Sequence, residues 1–105
     1  MSSKFQLTPE PTFVAPVNIH VPGGKPHPVK FTFKFRTPDE YREFLDAVKE
    51  GEDDVATIKE VVTGWDLPQP FDDENIATLV KTRFGVVEAV FLAYSRELIG
   101  AREKN

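Results

Sequence analysis

Between residues 12 and 36 apolar and polar side chains alternate with a period of two. Phe13, Ala15, Val17, Ile19 and Val21 share one face, with Asn18 and His20 on the other. After the turn-rich stretch VPGGKPHP, Val29, Phe31, Phe33 and Phe35 alternate with Lys30, Thr32, Lys34 and Arg36. The pattern predicts an antiparallel β-hairpin with one apolar face. Pro16 puts the first strand at an edge, or divides it, because proline cannot donate to a ladder. Nothing alternates ahead of residue 12, so residues 1–11 are expected to form a flexible arm.

From Thr37 the period becomes helical. In RTPDEYREFLDAVKEG, Thr37 is the expected N-cap, Pro38 suits the first helical position and Glu40 completes a capping box. Tyr41, Phe44, Leu45 and Val48 form the expected inner stripe, and Gly51 the expected stop. A second helix from about Asp54 carries Val55, Ile58 and Val62 inward and stops near Gly64. Asp72 or Asp73 caps a third, with Ile76, Val80 and Phe84 inside. Gly85 marks the break into a fourth, over residues 86–99. Hairpin first and about four helices after define an α+β domain over residues 12–100, with a frayed tail at residues 101–105.

Between the second and third helices stands VVTGWDLPQPF, holding the only tryptophan. The prolines at 68 and 70 restrict the residues before them and are expected to hold an extended strap. Such a strap can press Trp65, Leu67 and Phe71 against the helices. Trp65 suits either the core or a contact surface, since tryptophan serves both.

The chain has 105 residues, enough for one domain with a core of its own. The absence of cysteine removes disulfides, thiolate metal sites and a cysteine nucleophile, and fits a reducing cytoplasm. Thirteen basic against seventeen acidic residues give a net charge of −4, which argues against a protein built to neutralise nucleic-acid phosphates. The first residues carry no apolar signal-like run. The longest apolar stretch, around residues 86–94, is interrupted by Glu88 and too short for a membrane span.

Candidate chemistry is sparse. His20 and His27 flank Gly23-Gly24 and could be read as a metal pair. If Val17 and Ile19 share a face with Phe31 and Phe33, however, partner numbers must add to an even total, so His20 cannot stand opposite His27. No third ligand lies near, and no metal or cofactor is expected. KFTFKFR mixes basic and aromatic residues as single-strand binders do. In a strand, though, the phenylalanines go to one face and Lys30, Lys34 and Arg36 to a solvated back. FDDEN lacks the spaced oxygens of a calcium loop and suits helix capping. A catalytic role is not expected.

The fourth helix carries more. On a 100° wheel Val86, Val87, Val90, Phe91, Tyr94 and Leu98 fall in one arc, the expected core face. Leu92 and Ile99 fall on the other side, near Glu88, Ser95 and Arg96. A small apolar strip in a charged rim is how a partner-binding patch looks. Packing under another part of the chain, or isolated exposure without consequence, would place the same two residues there.

Taken in order, FTFKF, the capped helix, VVTGWDL and FDDENIATLVKTRFGVVEAVFLAYSREL resemble the tail assembly chaperones of long-tailed bacteriophages, over about residues 29–99. The Gly64-Trp65 pair and EAVFLAY are the most telling pieces. The resemblance implies a non-enzymatic protein of the host bacterial cytoplasm, absent from the finished virion. It implies binding to the tape measure protein, keeping it soluble while tail-tube subunits, the major tail protein, polymerise around it. A longer frameshifted form occurs in many members of the family. Where Gly85 stands the family tends to have proline, which leaves the angle between helices three and four open. On this reading Leu92 and Ile99, with Trp65 and Phe71 if exposed, are the expected partner contacts. Self-association is left open, nucleic acid and membrane are not expected partners, and a phage or prophage module binding a host protein is the alternative.

Overall fold

The hairpin forms where the alternation places it. The computed structural model of the protein describes residues 7–48 and 53–100. In it β1 (Thr12–Ile19) and β2 (His27–Lys34) pair antiparallel, from Thr12 opposite Lys34 to Ile19 opposite His27. Every pair of partner numbers adds to the same even total, as the facing apolar residues require. Ala15, Val17, Ile19, Val29, Phe31 and Phe33 are buried on one face.

Pro16 is harmless to this ladder for a reason of parity. The Phe35 N–H donates to the Pro11 carbonyl at 2.9 Å. Odd-numbered β1 residues therefore bond to β2, and even-numbered ones turn their backbone groups to the open edge. Pro16 is even, and β1 is an edge strand. Its missing N–H removes a donor only from the side where another chain could add a strand.

A third strand enlarges the expected hairpin. The second helix, α2 (Asp54–Val61), ends short of Gly64, and Val62 passes directly into β3 (Val62–Trp65), which pairs antiparallel with β2. Asp53 caps α2, its carboxylate accepting the Ala56 N–H at 3.0 Å. The β-branched run Val61-Val62-Thr63 favours strand over a further helical turn. Trp65 thus ends a strand, where a loop was expected. Phe31 faces Trp65 while Phe33 faces Val62, so a bulge lies between them. Without it Thr63 would oppose Phe33 and face the core. With it, apolar Val62 does. Asp66 prolongs the ladder, its N–H donating to the Lys30 carbonyl at 3.0 Å and its carboxylate accepting the Lys30 N–H at 3.1 Å.

The helices cover the apolar face of the sheet. At the start of α1 (Pro38–Ala47) Thr37 and Glu40 close the expected capping box. The Thr37 hydroxyl accepts the Glu40 N–H at 3.2 Å and the Glu40 carboxylate accepts the Thr37 N–H at 2.9 Å. Asp72 caps α3 (Asp73–Thr82) by accepting the Asn75 N–H at 2.9 Å. The long α4 (Val86–Ile99) lies across β1, and α2 packs between α3 and α4. Tyr94 of α4 sits on Phe13 and Phe33, with ring centroids 6.1 and 5.4 Å apart.

Two inner stripes are narrower than expected. On α1 Tyr41 is half-buried and Phe44 buried, but Leu45 and Val48 are exposed, because only one flank of the helix meets α4. The helix stops at Ala47 with Val48 extended, short of Gly51. On α3 Ile76 is buried and Val80 half-buried, but Phe84 is 88% exposed, because α3 ends at Thr82 and helical periodicity no longer aims its side chain. Gly51, residues 1–6 of the expected arm and the expected tail lie outside the described residues.

Candidate partner-binding surface

Helix α4 is set by glycine at both ends. Gly85 has φ of +73° and Gly100 of +75°, left-handed values that favour glycine. Proline, locked near −65°, cannot take up the Gly85 conformation. The junction between α3 and α4 is thus a specific left-handed turn.

Of the expected core arc, Val86, Val90 and Tyr94 are buried and Val87, Phe91 and Leu98 half-buried. Leu92 and Ile99 stand on the opposite side, 55% and 64% exposed. Two turns apart on one face, they form the apolar strip that the wheel separates from the core.

Trp65 and Phe71 are placed differently. Both are half-buried, and their rings meet edge to face at 5.0 Å. Trp65 also meets Phe31 edge to face at 6.1 Å, and its indole N–H donates to the Gln69 carbonyl at 2.8 Å. The segment bends at residues 66–69 and returns that carbonyl to the edge of the ring, so the strap is curled where an extended one was expected. Trp65 lines a shallow groove with Leu67 and with Asn75, Thr78 and Leu79 of α3. Ile99 instead lines a groove with Tyr41 and Leu45 of α1. The four expected contact residues thus belong to two separate surroundings.

Arg36 was expected on a solvated back with Lys30 and Lys34. Lys30 is exposed and Lys34 half-buried, but Arg36 turns inward with its side chain 16% exposed. Strand β2 ends at Lys34, so strand parity does not govern Arg36. One guanidinium nitrogen donates to the Glu60 carbonyl at 3.0 Å and to the Tyr94 hydroxyl at 2.9 Å. Another meets the Glu60 carboxylate at 3.3 Å, and Cζ lies 4.2 Å from the centre of the Phe44 ring. Burial pushes the Tyr94 phenol above its ordinary pKa, and the Arg36 guanidinium works against that rise. No sequence signal marks this junction of β2, α1, α2 and α4. Leu45 and Val48 were legible as apolar but not as exposed.

His20 and His27 are exposed and do not face each other. Among the described residues no group of three or more histidine, aspartate or glutamate side chains is placed to hold a metal ion. Among them, too, no helix is long and apolar enough to cross a membrane.

Fold and surface together describe a small α+β domain that exposes Leu92 and Ile99 on one side of its longest helix. The sequence model of the phage tail assembly chaperones matches residues 1–105, the whole chain, and the chain belongs to that family. No curated protein and no solved structure matches it.

Proposed function

We propose that the protein acts by contact, with no bond made or broken, and that Leu92 and Ile99 receive an apolar helical face of the tape measure protein. Binding keeps that client soluble in the host cytoplasm and lets tail-tube subunits polymerise around it, and the chaperone stays out of the finished virion. The observation that supports this reading is the pair of faces on α4. One is closed against the sheet and α1, while Leu92 and Ile99 stand open on the other.

A tape measure segment is a long amphipathic helix that aggregates when bare. An apolar strip covers such a helix by groove-type recognition, and many weakly bound copies hold one client by multivalency. Trp65 and Phe71 contribute to contact only through the part of each side chain that solvent reaches.

Replacing Leu92 and Ile99 together by Asp should abolish co-purification with the tape measure protein and keep the melting temperature of the wild type. Undiminished co-purification would discard the strip as the seat.

A further inference from the structure

We propose that the client helix lies in the groove between α1 and the last turns of α4, as the third member of a three-helix packing, with an acidic residue on its flank facing Arg42. This rests on the reading of α4 as the client-binding helix and extends the seat from one helix to two.

The groove has a volume of about 500 Å³ and is walled by Pro38, Tyr41 and Leu45 on one side and by Leu98 and Ile99 on the other. Its two helices run antiparallel. Tyr41 meets Ser95 through a 2.6 Å hydrogen bond, and Phe44 stacks on Phe91 with centroids 6.1 Å apart. Two antiparallel helices leave between them a trough that a third helix fills ridge into groove. Leu45, 52% exposed, and Ile99 are the residues such a helix would cover. Ile99 also lies on the Leu92 face of α4, so the groove adjoins that face through one shared residue.

Charge selects the occupant. Among the described residues that line the groove the charged side chains are Arg36 and Arg42, in a protein of net charge −4. Arg36 is committed to Glu60 and Tyr94. Arg42 is not committed. Among the described residues its ion pair is with Asp39 at 3.0 Å, between side chains 69% and 86% exposed, and pairs so exposed are weak enough to be exchanged. An incoming carboxylate can replace Asp39 there. A basic flank would meet repulsion instead, which gives the site its selectivity.

The test uses the full chain co-expressed with its tape measure protein, with retention read at about 50 and 500 mM salt. Leu45→Asp should abolish retention. Arg42→Glu should weaken it about tenfold at low salt and remove most of its salt dependence, and Arg42→Lys should restore binding. Unfolding curves check that each variant is folded. If Leu45→Asp and Arg42→Glu bind as wild type while Leu92→Asp does not, the groove is overturned and the strip stands. If all three bind as wild type, both fail. If Leu45→Asp changes only the oligomeric state, the groove belongs to a second copy of the chain and the proposal is overturned.

Discussion

Arg36 and Tyr94, far apart in sequence, meet through a 2.9 Å hydrogen bond that joins the end of β2 to the core face of α4. The same guanidinium lies over Phe44 and pairs with Glu60, so one side chain ties together two helices, α1 and α2, besides the strand and helix it bridges. Removing it leaves a buried hydroxyl without its partner and strips the Phe44 ring of its cation. Arg36→Ala should destabilise the fold by about 2–4 kcal/mol. Tyr94→Phe, which keeps the ring, should cost about 1 kcal/mol. Urea unfolding of both variants checks the order.

The Tyr94 phenol also sets an alkaline limit. Its folded pKa is raised, chiefly by burial. Below the unfolded value of about 10 the group is neutral in both states and stability does not depend on it. Above about 10 the unfolded chain loses this proton more readily than the folded one, so stability falls with rising pH until the folded group also ionises. Melting temperatures recorded between about pH 8 and pH 11 should fall more steeply for the wild type than for Tyr94→Phe. Parallel curves would contradict this.

Among the described residues, none beyond the chain neighbours of Gly85 comes within 4 Å of where a Cβ would stand in its left-handed turn. The cost of a side chain there is purely conformational. Gly85→Ala should destabilise by about 1–2 kcal/mol and Gly85→Asn by less, because asparagine tolerates this region better. Gly85→Pro should cost more than either, since its ring forbids the observed φ. Thermal unfolding of the three variants gives the ranking.

Exposed and buried apolar residues should separate cleanly. Phe84→Ser and Leu92→Asp should each change stability by no more than about 0.5 kcal/mol. Ile76→Ala, at a fully buried position, should cost about 2–5 kcal/mol. A large loss at Phe84 would mean that its ring packs against something in solution.

The sequence was legible where a period ran uninterrupted and a turn or cap closed it. The parity of the hairpin register follows from the facing apolar residues, and Thr37-Pro38 with Glu40 marks the start of α1 unambiguously. It was illegible where one period gave way to another. Val62 completes an i, i+4 stripe with Ile58, yet its β-branched neighbours had already turned the chain into β3. Phe84 and Arg36 lie just beyond the ends of their elements, where periodicity no longer aims a side chain. In α1 the spacing of Tyr41, Phe44, Leu45 and Val48 shows an apolar stripe, but not which flank a neighbouring helix covers. At the candidate site the wheel separated Leu92 and Ile99 from the core face. The groove that adds Leu45 and Arg42 depends on how α1 docks on α4, which is tertiary information.

On the proposed function this chain lends apolar surface to a client that cannot stay soluble alone. The most direct test is the soluble fraction of the tape measure protein expressed by itself, with the wild-type chain, and with the chain carrying Leu92→Asp and Ile99→Asp. The client should be soluble in the second case only. A client equally insoluble beside the wild type, or equally soluble beside the double variant, would contradict it.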